Sequence, residues 1–317
     1  LDLTLLRLTE GSTVYQGSLS VPYGGREDQP VFEFSSELRG MTIDMPPPIG
    51  KIVADASRPL QVTQSFEANG SELAFELDQS AGGILRLVGD EVQGGIIEIG
   101  RYEPKAAAFD AIRITGALPY ASLEEWDGFL LRLDALSKGE VSEVFRARLE
   151  SVEVQAAEFD LFGYALEEVA LGLYPDTDGW RMTLLNSEVD GMVRLNDDPD
   201  APLEIVLDNL NLISDGEITD PLAGLTSEDL LPAEVLIRSV VWEGEDFGSW
   251  QFRVQPDDEG VRLSNLVAKS KGMLIDVKDG LHWYPASEAP YTKFEGLVRV
   301  EDMRACLAAW GYASGLE

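Results

Sequence analysis

Residues that alternate between apolar and polar side chains recur along most of this chain. Alternation with a period of two residues is typical of a β-strand that has one face in apolar surroundings and the other in water. The clearest runs lie at residues 32–34, 73–77, 97–99, 112–114, 159–161, 205–207, 250–254 and 298–300. The pattern predicts a mainly β fold.

Glycine-containing turns separate many of these runs. Asn69-Gly70, Asp178-Gly179 and Glu259-Gly260 are examples, and glycine accepts the positive φ that tight connections require. Two strands joined by so few residues pair antiparallel. We therefore expect an antiparallel meander in one elongated body.

A Gly-Met step opens a short apolar run at three places, which are residues 40–45, 191–195 and 272–277. The last two follow a longer ungapped repeat, in which residues 173–182 match residues 254–263 at a constant offset of 81 residues. Repeats that cannot bury an apolar face alone build extended surfaces. We therefore expect function to lie along a surface, and in each Gly-Met copy we expect Met to begin the apolar face of its strand.

Two segments show helical periodicity. Ser122 and Glu125 form a capping-box pattern ahead of an apolar stripe that ends near Leu133. A second stripe runs from Met303 to Trp310. These patterns predict two short helices, each containing a tryptophan.

The helices also suggest how the chain is organised. We predict one β-groove module over residues 1–140 and a second, containing the 81-residue repeat, over residues 141–317. Each module ends in its Trp-bearing helix. A weaker third helix is predicted over residues 227–231, before Pro232.

The net charge limits the classes of partner. The chain has 24 Lys and Arg against 57 Asp and Glu, a formal charge of −33, and a surface this acidic repels phosphate backbones. We expect no nucleic-acid partner. The acidity itself fits either a solubility or salt adaptation or, alternatively, a specific cationic partner.

The residues that usually carry catalysis or bind metals are scarce. His282 is the only histidine and Cys306 the only cysteine, which excludes histidine-based triads, multi-histidine metal sites and a disulfide framework. The Asp176-Thr177-Asp178-Gly179 run resembles the start of a calcium loop, but the twelfth position is Ser187 rather than Glu. We expect no catalytic residue, no metal and no cofactor.

The apolar face of the sheet is what remains as a candidate site. An antiparallel sheet must cover its apolar face, and two short helices are too few for about sixteen strands. Either the sheet packs against itself, or the face forms a groove for an apolar guest. The residues predicted to line such a groove are Phe32, Phe34, Leu73, Phe75, Leu77, Ile112, Ile114, Ile205, Leu207, Trp250, Phe252 and Val254.

Several phrases of the sequence resemble the YhdP branch of the AsmA-like protein family. The first is Leu38–Lys51, which reads LRGMTIDMPPPIGK, followed by Arg58–Val62. Further phrases lie at residues 112–116 with Trp126, 179–184 with Gly191, 231–236, 247–250 and 307–312. The resemblance covers most of residues 30–312.

This resemblance implies a long, curved antiparallel β-sheet that forms a hydrophobic gutter, with two or three short helices. AsmA-like proteins of this branch resemble bridge-like lipid transfer proteins of the Gram-negative envelope. The implied function is non-enzymatic movement of phospholipids between inner and outer membrane, with acyl chains shielded in the periplasm. The chain would be an internal, C-terminal-half segment, whose anchor in the inner membrane and contacts with both membranes lie in regions outside it.

Two other classes of function remain open from the residues alone. A closed structural or adhesive β-protein of the envelope would carry no lipid in its dry interior. A carbohydrate-binding module is suggested by the six Trp residues.

Overall fold

The computed structural model describes residues 7–23, 29–89, 91–100, 110–137, 147–161, 164–198, 201–212, 230–258, 260–277, 280–284 and 291–309. The chain folds as two compact units, Leu1–Pro175 and Asp176–Glu317. The module boundary predicted at 140/141 falls within residues 138–146, which lie outside the described residues.

The first unit contains twelve strands and one helix among its described residues. The strands are β1 (Thr9–Gly11), β2 (Tyr15–Ser20), β3 (Val31–Ser36), β4 (Met41–Ile43), β5 (Leu60–Glu67), β6 (Gly70–Leu77), β7 (Ala81–Val88), β8 (Glu91–Ile99), β9 (Ile112–Leu118), β10 (Ala121–Ser122), β11 (Leu149–Leu161) and β12 (Tyr164–Asp176), and the helix is α1 (Leu123–Ser137).

Most strands of this unit join one sheet. Their spatial order is β2-β3-β5-β6-β7-β8-β9-β11-β12. The short strand β10 also pairs with β11, next to the part of β11 that pairs with β9. The pairs β8–β9, β9–β11 and β10–β11 are parallel. The other neighbouring pairs of this sheet are antiparallel. β1 and β4 form a separate antiparallel pair.

The second unit contains ten strands and one helix in the part that the structure describes. The strands are β13 (Gly179–Leu185), β14 (Val189–Asn196), β15 (Leu203–Leu212), β16 (Ala233–Trp242), β17 (Glu245–Asp257), β18 (Gly260–Ser270), β19 (Met273–Val277), β20 (Leu281–Tyr284), β21 (Tyr291–Phe294) and β22 (Leu297–Val300), and the helix is α2 (Met303–Ala309).

The sheet of the second unit runs in the order β13-β14-β15-β16-β17-β18. β19 and β20 then lie one after the other along the free side of β18, and they pair in turn with β22 and β21. β15 and β16 are parallel, whereas the other neighbours are antiparallel. The prediction of a mainly β fold with short helices is confirmed, but the sheets are mixed rather than a pure antiparallel meander.

Both tryptophan-associated helices form where the periodicity predicts them. The backbone N–H of Glu125 donates to Ser122 Oγ at 3.4 Å, which supplies one hydrogen bond of the predicted capping box at the start of α1. Most of the weaker helix predicted over residues 227–231, and Trp310 of the second stripe, lie outside the described residues.

The Gly-Met phrase is not structurally equivalent in its three copies. Gly40 and Gly272 have φ of +87° and +79° and precede β4 and β19, which begin at Met41 and Met273. Gly191 instead lies inside β14. The prediction that Met opens the apolar face is wrong for Met192, which the register places on the polar face opposite Val206 and Thr183.

A β-bulge explains this difference. Between its pairs with Arg253 and Gln251 of β17, strand β18 advances from Ser264 to Val267, one residue more than its partner. Asn265, at φ +53°, lies in this bulge. One extra residue moves all later side chains to the opposite face, so Met273 faces the apolar side although Met192, its match at the 81-residue offset, does not.

Two side chains of the first unit at 0% exposure, Leu166 and Val169, lie on β12, which pairs with β11, and α1 contacts β10 and β11. Phe159 is 4% exposed and pairs with Ala121 of β10 and with Leu166 of β12, which is 0% exposed. Phe129 of α1 is also buried. Well-packed core is therefore concentrated at this part of the sheet.

Candidate functional site

The strand register gathers the apolar side chains of the first unit on one sheet face. Residues that pair directly across strands share a face, so three rows can be followed across the sheet. The first row is Ser36, Leu60, Leu77, Ala81, Ile99, Gly116 and Val154; the middle row is Phe34, Val62, Phe75, Gly83, Ile97, Ile114, Val152 and Leu173; the third row is Phe32, Gln64, Leu73, Leu85, Gly95, Ile112 and Leu149. We call these rows the apolar face of the first unit.

Burial changes from row to row of this face. In the first row Leu77, Ala81, Ile99 and Val154 are buried. In the middle row every residue except Gly83 is only partly buried. A closed core would bury its central side chains most, as protein interiors are close-packed. The middle row is thus a strip of large apolar side chains that water still reaches.

The second unit has a matching apolar face of its own. Its members are Met182, Val193, Ile205, Val235, Phe252 and Leu263, with their same-side neighbours Trp180, Leu207, Ile237, Trp250, Val254, Val261, Ala268 and Ile275. From β13 to β15 and on β17 these side chains are partly buried. On β18 and β19 the face closes, because Ala268 is 0% and Val277 1% exposed.

Glycines lie directly opposite large residues on both apolar faces. Gly83 pairs with Phe75, and a Cβ on this glycine would stand 2.9 Å from the Phe75 ring. A Cβ on Gly191 would likewise stand 2.6 Å from Cδ2 of Leu207, its partner on β15. Each large side chain therefore extends over the glycine of the neighbouring strand, so that only one side chain projects from the face at each of these pairs.

The opposite sheet faces carry charged side chains and cross-strand ion pairs, interspersed with apolar residues such as Ala74, Ile84 and Ile96 of the first unit. Arg113 binds Glu150 through two hydrogen bonds of 2.7 and 2.8 Å. These bonds raise the pKa of Arg113 and lower the pKa of Glu150 from their ordinary values. In the second unit Arg194 pairs with Glu204 at 3.2 Å. The contrast between the two faces means that each sheet has one side suited to water and one suited to an apolar contact.

All twelve residues predicted to line a groove lie on these two faces. Phe32, Phe34, Leu73, Phe75, Leu77, Ile112 and Ile114 share the apolar face of the first unit, and Ile205, Leu207, Trp250, Phe252 and Val254 share that of the second. Ten are at least partly exposed, while Leu77 and Ile112 are buried at 8% and 3% exposure. Their contact with a guest stays a prediction.

Sequence reasoning missed other members of the same faces. Val62, Ile97, Val152 and Leu173 complete the middle row of the first unit. Each lies in an alternating run, so the signal was present. The cross-strand register was needed to show that they belong to the same strip.

The remaining polar candidates do not assemble a reactive centre in the described part of the chain. His282 Nε2 lies 3.4 Å from Asp257 Oδ1, and its ring packs on Tyr284 at a centroid distance of 4.1 Å. Among the described residues no group of three or more His, Cys, Asp and Glu side chains is placed to hold a metal ion. No helix in the same residues is long and apolar enough to cross a membrane.

Comparison with known proteins assigns the chain to a family. The family model described as YhdP protein matches residues 1–317. Neither a curated protein nor a solved structure matches the chain significantly.

Proposed function

The chain belongs to the YhdP family of envelope proteins related to lipid transport, and from this premise we propose that its two apolar faces shield phospholipid acyl chains. In this proposal the chain acts without catalysis and without a cofactor. It conducts lipid between the inner and outer membranes across the periplasm.

One observation carries the proposal. Across β3 to β12 the middle row of the first unit presents large apolar side chains that remain partly exposed, interrupted by the buried Gly83, while the charged side chains of β5 to β9 lie on the reverse side. Exposed apolar surface of this continuity marks a binding site in soluble proteins. Its occupant should match the strip, which is a single row of mainly apolar side chains that crosses the strands from β3 to β12.

An acyl chain meets these requirements. Each methylene moved from water onto the strip contributes about 0.8 kcal/mol, so a chain would be held by many small contacts. The headgroup needs no pocket, because it can stay in water beside the strip. Since neighbouring positions along the strip are chemically alike, a bound chain can slide between them.

The test is uptake of a labelled phospholipid by the purified chain, combined with mass spectrometry of lipid that co-purifies. Phe75→Asp and Phe252→Asp place a charge on the two apolar faces. Ala74→Asp and Gln251→Asp are matched controls, because each alters the adjacent residue on the opposite face of the same strand.

We expect the wild-type chain and both controls to take up lipid, and the two face variants to lose most of it. Absence of co-purifying lipid and of uptake by a folded wild-type chain would overturn the proposal in favour of a closed structural protein. Equal uptake by face variants and controls would place the lipid elsewhere.

A further inference from the structure

A loop of the first unit is held by two buried cations. Lys51 is 5% and Arg58 7% exposed. Lys51 Nζ donates to the carbonyl oxygens of Met41, Val53 and Ala54 at 2.5, 2.9 and 2.6 Å. A buried charge is costly unless it is fully hydrogen-bonded, and here three acceptors surround the ammonium group.

Arg58 braces the preceding part of the same loop. Its Nη1 donates to the carbonyl oxygens of Ile49 and Gly50, each at 2.6 Å, and its Nη2 donates to that of Pro48. Burial lowers the pKa of Arg58. Together the two side chains bind six backbone carbonyls. Five belong to residues 48–54, and the sixth, that of Met41, joins this loop to β4.

The braced loop displays two aliphatic side chains to solvent. Ile52 is 91% and Val53 58% exposed. Both follow Lys51 directly, so the side chain that fixes the backbone lies beside the two that are presented. The chain has 24 basic residues against 57 acidic ones. Two of these basic side chains stabilise a loop whose aliphatic residues, Ile52 and Val53, do not pack into a core.

We propose that Ile52 and Val53 form a preorganised docking site for a partner protein that offers an apolar strip flanked by lysine or arginine. A rigid loop loses little conformational entropy on binding, which is the advantage that the two braces supply. Central apolar anchors are typical of binding hot spots.

The negative charge of the chain favours a partner whose surface is basic. Asp55 is exposed beside the loop, the side chain of Asp44 on its other side is 72% exposed and lies 3.6 Å from Arg132, and the whole chain carries −33. A second copy of the chain or an anionic membrane surface would be repelled, whereas a basic surface would be attracted and steered to the loop. This proposal is independent of lipid binding on the apolar faces.

The test uses the full chain labelled with an environment-sensitive fluorophore at Ala56→Cys. Ala56 is exposed and three residues beyond Val53, whereas Cys306, the only natural cysteine, is buried at 4% exposure. The probe for the partner is an amphipathic helical peptide of leucine and lysine. A leucine–glutamate peptide and vesicles of zwitterionic phosphatidylcholine are the comparison probes.

We expect saturable binding of the leucine–lysine peptide that weakens at least about tenfold in the Ile52→Ser, Val53→Ser double variant. Val14→Ser is the matched control, since Val14 is an equally exposed aliphatic at 85% outside the braced loop, and it should leave binding unchanged. Raising the salt to about 0.5 M screens general attraction to the acidic surface, and the difference between variants should persist.

Lys51→Met separates preorganisation from charge. It keeps both aliphatics and makes the chain more acidic, so a purely electrostatic attraction would bind the cationic peptide more tightly. The braced-loop proposal requires weaker binding, by about threefold or more, while circular dichroism shows the folded chain. Undiminished binding in the double variant, a response to vesicles alone, or no response to the leucine–lysine peptide would each overturn the proposal.

Discussion

Replacing Phe75 by aspartate distinguishes a water-accessible apolar face from a closed core. Phe75 lies in the middle row of the first unit, opposite Val62 and over Gly83, and it is partly buried. If roughly 100 Å² of its apolar surface is in contact, its loss at about 25 cal/mol per Å² costs about 2.5 kcal/mol. The new carboxylate keeps contact with water and adds little to this cost.

The same substitution at Leu166 provides the comparison. Leu166 is 0% exposed beside Phe159, so removal of its side chain should cost about 2–5 kcal/mol. Burying a carboxylate there adds several kcal/mol. The sum is comparable to the whole stability of a domain, about 5–15 kcal/mol, and we expect Leu166→Asp to prevent folding of the first unit.

Urea unfolding followed by circular dichroism measures both effects. We expect Phe75→Asp to remain folded, with a free energy of unfolding lowered by about 2.5 kcal/mol, and to lose phospholipid uptake. Ala74→Asp, on the opposite face of the same strand between Thr63 and Ile84, should keep phospholipid uptake. If Phe75→Asp unfolds the chain as Leu166→Asp does, the middle row is a closed core and the inference from its partial exposure is refuted.

Four further outcomes test other parts of the structure. Lys51→Met leaves three carbonyl oxygens without their charged donor and should lower the urea midpoint by the equivalent of about 2–4 kcal/mol. Ser122→Ala removes the side-chain acceptor at the start of α1 and should cost about 1 kcal/mol in the same assay. Asn265→Val forces a β-branched residue into φ +53° and should cost about 1–2 kcal/mol. Arg113 lowers the pKa of Glu150, so the stability that this carboxylate contributes is present at neutral pH and is lost as pH falls through the depressed pKa. Arg113→Gln should therefore raise the pKa of Glu150 in an NMR titration. An unchanged titration midpoint would contradict the assignment.

Alternation alone was sufficient to predict the faces of single strands. In Leu73-Ala74-Phe75-Glu76-Leu77 the odd-numbered residues share one side because successive side chains of a strand point to opposite faces, and the structure places them so. The start of α1 was also predictable, since Ser122 and Glu125 carry a local capping pattern. Signals of this kind depend only on neighbours in sequence.

Pairings between distant segments were not predictable from the same patterns. The parallel pairing of β15 with β16 joins residues 203–212 to 233–242, and no dipeptide between them indicates it. Lys51 and Arg58 give no periodic signal, because a side chain that binds loop carbonyls needs no partner at a fixed spacing. Sequence reasoning therefore identified the phrase that contains Lys51 without assigning its role.

The 81-residue repeat is present in the sequence, but matched residues of the repeat do not always lie on the same face of the sheet. Trp180 and Val261 match at this offset and both lie on the apolar face of the second unit, as do Met182 and Leu263. Past the bulge at Asn265 the agreement ends, since one inserted residue exchanges the two faces. The bulge is therefore required for β19 to present Met273, Ile275 and Val277 on the same face as the rest of the sheet, and the apolar face of the second unit continues across β18 because the repeat is interrupted there.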